Sequence, residues 1–223
     1  MISFDEVIAS LLLLSWVAFV VMVLTKSLYR RMRSRGIEHN AAVYYNRKVM
    51  HILAGGLSAV AVPLLFQTPL LPLMMAMLLA IFIFMPHKMN RVMYWFQTEE
   101  NICEVSFCVM WGTTIALGWL VSGSLWFGAV PVLFMSVGDA VTGVVRNLIY
   151  GKRTKSWWGN LIMAVFSMSI GAALGVAGVL AGGAASFVEH FEFRPIDDNV
   201  IVPLVSFLIL TLAKIYAPWT LSL

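Results

Sequence analysis

Hydrophobic residues fall along this chain in long runs, and the polar residues gather between them. The runs cover residues 7–25, 49–66, 70–85, 102–121, 125–145 and 200–217, with a longer glycine-rich one at 159–191. A helix needs about 20 apolar residues to cross a bilayer, and most of the runs are near that length. The pattern predicts an all-α, polytopic transmembrane bundle of about seven or eight passes. The count turns on 159–191. Small residues at four-residue spacing suit one long tilted helix, but the stretch could equally turn near Gly175 and Gly178 and form two shorter ones.

The polar segments are short. Residues 26–48 have some helical amphipathicity and are expected to lie at the membrane interface. Gln67, Thr68 and Pro69 make a turn, and Ser122, Gly123 and Ser124 another. The loop 86–101 carries Lys88, Arg91, Glu99 and Glu100, with Tyr94, Trp95 and Phe96 as expected interfacial aromatics. No internal repeat or linker divides the chain, so residues 1–223 read as one integral-membrane domain.

Composition removes the soluble alternative. Hydrophobic residues make up 61% of the chain and charged ones 12%, with a mean hydropathy of +0.88, which no single soluble core of this size could hide. The net charge of +4 is uneven. Lys26, Arg30, Arg31, Arg33, Arg35, Arg47 and Lys48 crowd one connection, and Arg146, Lys152, Arg153 and Lys155 another. Such clusters mark the cytoplasmic face and sit on anionic membrane lipid. No soluble basic module is present to bind nucleic acid. Asp5 and Glu6 precede the first run and the basic cluster follows it, so the run is expected to be an uncleaved anchor with its N-terminus outside. Cys103 and Cys108 lie five apart, point to different faces of one helix, and suggest neither a disulfide nor a metal site. Nothing in the sequence separates a monomer from a homo-oligomer.

Asp139 is the one charged residue within the run 125–145. A carboxylate in a membrane span costs about 2.5–3.5 kcal/mol on insertion scales, so it is usually retained for a task. Asp139, Thr142 and Arg146 recur at three- and four-residue steps on one helix face. That face could hold Mg²⁺ through Asp139, bond a phosphate or the ion's water through Thr142, and neutralise phosphate through Arg146. An Asp139–Arg146 ion pair locking two helices is the plainer alternative. The segment 146–160 follows as a cytoplasmic phosphate-binding loop. Gly151 and Gly159 allow backbone approach, Lys152 and Lys155 bring charge, and Ser156 lies beside them. It is not a Walker A loop, because Gly143 and Gly151 are too widely spaced and Arg153 follows Lys152. A further group is Arg47, Lys48 and His51, where Lys48 and His51 share a face. The last is Glu189 with Asp197, Asp198 and Asn199, of which Asp198 or Asn199 also suits a helix N-cap.

Taken in order, Arg47-Lys48-Val49-Met50-His51, Gly138-Asp139, Gly151-Lys152, Lys155-Ser156-Trp157-Trp158-Gly159, Glu189 and Asp198-Asn199 with the apolar stretch 200–205 form a series. The series resembles the integral-membrane prenol kinases, which include dolichol kinase and phytol kinase and are related in fold to CTP-dependent cytidylyltransferases. The resemblance covers 47–51 and 136–206. Trp158 stands where the family often has an acidic residue, and Arg146-Asn147 where glycine-arginine is commoner. The resemblance implies a kinase that moves the γ-phosphoryl group of a nucleotide triphosphate, CTP, to the hydroxyl of an isoprenoid alcohol in the bilayer. It also implies catalytic roles for Asp139, Glu189 and Asp198, with Mg²⁺ on Asp139 and Asp198. Nucleotide contacts would come from Arg47, Lys48, His51, Gly138, Thr142, Arg146, Gly151, Lys152, Lys155, Ser156, Gly159 and Asn199. Glu189, Asp197 and His51 are candidates for a general base. A cytidylyltransferase acting on a lipid phosphate and a transporter are the alternatives. The resemblance also implies that the acidic residues near 197–199 share the cytoplasmic basic face, so 159–191 is expected to form two helices, although the positive-inside rule alone prefers one.

Overall fold

The computed structural model describes residues 2–150, 156–191 and 196–222, the side chains of 148–150 excepted. Its regular elements are all helical and form eight helices in sequence. The first four are α1 (Phe4–Ser34), α2 (His39–Leu65), α3 (Leu70–Lys88) and α4 (Cys103–Ser122). α5 consists of Leu125–Leu133, a π-helical turn Phe134–Gly138, and Asp139–Tyr150. α6 (Trp157–Leu174), α7 (Val176–Glu189) and α8 (Asp198–Tyr216) complete the bundle. Most sequential helices pack against each other, but α3 packs on α4 and α1 rather than on α2. Seven helices are long and apolar enough to cross a membrane; α7, with 14 residues, is the short one.

Local chemistry sets the ends. Ser3 and Glu6 form a reciprocal capping box at the start of α1, and Glu6 Oε1 also accepts from the Gln67 amide at 2.8 Å. That carboxylate ties the first helix to the α2–α3 turn. Residues 26–48 are mostly helical. α1 runs unbroken to Ser34 and α2 starts at His39, so the basic stretch is a helical hairpin turning through Gly36. Of the three aromatics expected at the interface, Tyr94 is exposed, whereas Trp95 and Phe96 are buried inside the protein against Val20, Val21, Met50 and Ile83. Asn46 holds that loop in place by donating to the carbonyls of Thr25 and Trp95 at 2.8 and 2.7 Å.

Three π-helical turns interrupt otherwise regular helices, at Phe19–Leu24, His51–Gly56 and Phe134–Gly138. Such turns disturb the backbone ladder, and in hydrocarbon a carbonyl without a donor costs several kcal/mol. Indole groups supply donors at the first two. Trp95 Nε1 donates to Val21 O at 2.9 Å, Trp16 Nε1 to Leu53 O at 2.8 Å, and Trp111 Nε1 to Gly55 O at 3.0 Å.

α5 is the central helix. Of its apolar window 72% is buried within the protein, against 22% to 44% for the other six spans, so its polar groups face protein rather than lipid. α6 and α7 form a hairpin beside it. Gly175, at φ +81°, breaks the run 159–191 into these two helices, the second of the two arrangements weighed from the sequence. Gly171 and Gly178 then meet backbone to backbone, and a Cβ on either would collide with the other's carbonyl. Gly178→Leu is therefore expected to separate the hairpin and cost about 3 kcal/mol or more through overpacking. Thermal unfolding in detergent checks it, with Leu180→Ala on an exposed position of the same helix as the control.

Candidate functional site

The site lies at the end of the bundle that carries the α1–α2, α3–α4 and α7–α8 connections. Asp139 follows directly on the π-turn of α5. Its Oδ2 accepts from Lys48 Nζ at 2.7 Å and lies 3.5 Å from His51 Nδ1, and all three side chains are nearly buried. Lys48 and His51 arrive from α2, where His51 opens the π-turn His51–Gly56 that packs against the π-turn of α5. His51 stacks on Phe107 of α4, with ring centroids 4.2 Å apart. Lys48 Nζ also lies over the Tyr44 ring at 5.3 Å. Gly143 leaves the room for this, since a Cβ there would strike the Tyr44 hydroxyl and the Lys48 stem.

One helical turn beyond Thr142, Arg146 makes a planar fork onto Glu189. Its NH1 and NH2 donate to Oε1 and Oε2 at 2.9 and 2.7 Å. NH2 also donates to Asn160 Oδ1 at 2.7 Å, while Asn160 Nδ2 donates to the Ser186 carbonyl at 2.6 Å. His190 reaches the same Asn160 oxygen at 3.0 Å and stacks under Trp157, with centroids 4.0 Å apart. α5, α6 and α7 are thus joined by one buried polar network whose charges are paired.

The third component is the start of α8. Asp197 is the N-cap residue rather than Asp198 or Asn199, and its Oδ2 accepts from Ser106 of α4 at 2.5 Å instead of capping its own helix. Asn199 donates to the Cys103 carbonyl at 2.9 Å. These bonds fix Asp198 in the first turn. Asp139, Glu189 and Asp198 thereby converge, each offering one carboxylate oxygen, all within 4.8 Å of one another. Opposed ligands of Mg²⁺ lie about 4.2 Å apart, so this oxygen set fits a small hard cation with little movement. Lys48 pairs with Asp139 and Arg146 with Glu189. These two cations offset the repulsion among the converging carboxylates.

The structure distributes the other expected residues unevenly. Arg47 is engaged away from Asp139: it donates to the Phe96 carbonyl at 2.8 Å and pairs with Glu104. Thr142 is fully buried and donates to the Gly138 carbonyl at 2.8 Å, with Gly159 O at 3.3 Å, so it packs α5 on α6. Gly138 serves the same contact, since a Cβ there would lie 3.1 Å from Ser167 Oγ. Gly159 makes way for the Arg146 side chain, and Ser156 caps α6 by accepting from Gly159 N at 3.3 Å. Gly151, Lys152 and Lys155 lie outside the described residues. Asn160, His190 and Glu104 were not singled out from the sequence. Glu104 could have been, because it is a second carboxylate in an apolar run, and the reasoning applied to Asp139 fits it unchanged. No family model, curated protein or solved structure matches the chain.

Proposed function

We propose that the chain is a membrane-embedded kinase that transfers the γ-phosphoryl group of a nucleotide to the hydroxyl of an isoprenoid alcohol. The observation that carries this reading is the convergence of Asp139, Glu189 and Asp198, from three helices, beside Lys48. The resemblance of the same residues to prenol kinases names CTP as donor and the cytoplasm as the side from which it arrives. Phosphoryl transfer asks chiefly for in-line positioning and charge neutralisation, which a preorganised polar end of an otherwise apolar bundle can give.

Asp139 and Asp198, with Glu189 completing the oxygen set, would hold Mg²⁺. The ion, when bound, supplies positive charge to the phosphate oxygens. Lys48 orients the Asp139 carboxylate, and the Arg146–Asn160 pair orients Glu189. Lys152 and Lys155 are the remaining cations assigned to phosphate. The acceptor's tail stays in hydrocarbon while its hydroxyl reaches this end of the bundle.

Purified protein in lipid nanodiscs, given Mg²⁺, geranylgeraniol and CTP labelled at either the γ- or the α-phosphate, tests the reading. Label is expected in the lipid from the γ position alone. Transfer of α-label to a lipid phosphate would replace the kinase with a cytidylyltransferase. No lipid labelling from either position would sink the enzymatic reading and leave a transporter.

A further inference from the structure

Two adjoining cavities run between α1, α2, α3 and α4, on the opposite side of His51 and Phe107 from the α6–α7 hairpin. The outer one is partly open to the surface, holds about 70 Å³ of free space and is walled by Leu14, Val17, Met75, Leu79, Phe107 and Trp111, among other apolar groups. Trp111 spends its indole N–H on Gly55 O and offers only ring carbon, so Ser58 carries the one side-chain hydroxyl in the wall. The inner cavity, about 40 Å³, shares Val17, Ala54, Leu79, Phe107 and Cys108 with the outer one. Its wall then changes character, for it ends on Arg47, His51 and Glu104.

This layout is apolar over most of its length and polar at one tip. The tip adjoins the candidate reaction centre, because His51 belongs to the inner cavity and stands 3.5 Å from Asp139 Oδ2. α1 and α3, which form the outer walls, are among the least buried spans, so this side of the cleft is the one that faces the bilayer. A head-and-tail ligand with one small polar group fits such a cleft; a nucleotide, charged along its length, does not.

We infer that this cleft between α1–α4 is the acceptor-alcohol site, with the isoprenoid tail along Leu79, Phe107 and Trp111 and the hydroxyl at His51. The inference rests on the kinase reading for the identity of the ligand, but the site itself is defined without turnover. Acceptor and donor then reach Asp139 from opposite sides. The alcohol comes laterally from the bilayer past α2 and α4, and the nucleotide from the loop end past α5 and α8. In the transfer, the alcohol oxygen forms its bond to the γ-phosphorus as the bond to the β–γ bridging oxygen breaks. The hydroxyl proton passes to His51 and the nucleoside diphosphate leaves.

Photolabelling tests the site directly. Geranylgeraniol bearing a diazirine on its terminal isoprene unit is irradiated with the protein in nanodiscs, without nucleotide, and the adducts are mapped by mass spectrometry. Adducts are expected in 13–17, 72–79 and 107–111, and excess plain geranylgeraniol should remove most of them. Leu79→Trp fills the junction of the two cavities and should abolish that labelling while raising KM for the alcohol about tenfold with kcat little changed. Val17→Trp, from another helix, is the second variant should the first fail to fold.

Competed adducts on α6–α8, adducts that the alcohol does not compete (an ordinary acyl chain in the cleft), or an unchanged KM in both folded variants would overturn the assignment. Competed labelling in the cleft without lipid phosphorylation would sink the kinase reading and leave the cleft standing. Phosphorylation with labelling elsewhere would do the reverse.

Discussion

Asp139→Asn is expected to lower lipid phosphorylation about 10²–10³-fold, the scale seen when a preorganised electrostatic group is removed from an active site. The carboxamide keeps the volume and can still accept from Lys48, but the charge that would hold the cation is gone. Lys48 then keeps a nearly buried positive charge without its counter-charge, a defect worth about 3–5 kcal/mol when the pair is fully buried. Stability and turnover should therefore fall together in the single variant, and a second substitution separates them. Asp139→Asn with Lys48→Met removes both charges and is expected to recover most of the stability and none of the turnover. Unfolding in detergent and the γ-label assay give the two readouts. Appreciable turnover in the double variant would reduce Asp139 to one half of a structural pair and remove the metal assignment.

Glu189→Gln should give the largest loss of stability of any single isosteric change in the polar network. The side chains of Arg146 and Glu189 are 6% and 2% exposed, so the variant leaves a guanidinium with no counter-charge in a site water barely reaches. Breaking a buried pair from one side costs about 3–5 kcal/mol. The Asn160, Ser186 and His190 bonds depend on the same geometry, so the α6–α7 hairpin should loosen with it. Glu189→Gln combined with Arg146→Met is expected to refold close to wild-type stability. Thermal scans of the variants decide this, and a single variant within about 1 kcal/mol of wild type would show the network contributing little, since breaking such a pair ordinarily costs several times that.

Much of the fold is readable from the runs, because a 20-residue apolar stretch has few alternatives to a helix in a bilayer. What runs cannot give is how far a helix continues past the hydrocarbon. α1 and α2 extend through basic sequence to Ser34 and from His39, and the hairpin they make covers Trp95 and Phe96. The break at Gly175 was equally open to one helix or two, since glycine at four-residue spacing serves close packing and turning alike.

The acids of the site were each visible, but their partners were not. Asp139 and Arg146 share a face of α5, which made them a natural pair on paper. Seven residues along a helix, however, is about 10.5 Å of rise. Each instead pairs with a residue on another helix, Asp139 with Lys48 and Arg146 with Glu189. Such choices depend on how neighbouring helices are rotated about their axes, and periodicity within one helix carries no information on that. Asn160 shows the same limit: it is one polar residue among many until Arg146, Ser186 and His190 surround it.

That rotation has an identifiable source in the π-turns. Each accommodates one residue more than a regular helix would, and one residue corresponds to about 100° around the axis. Leu125–Leu133 and Asp139–Tyr150 are consequently out of phase by that angle, as are the two halves of α2 on either side of His51–Gly56. Deleting a single residue from 134–138 would leave α5 just as hydrophobic and a better hydrogen-bonded helix. It would also swing either the packing face or Asp139 a quarter-turn away from Lys48. The indoles of Trp16 and Trp111, which bond the carbonyls of the α2 π-turn, therefore help to hold the azimuth of Lys48 and His51 in the candidate site.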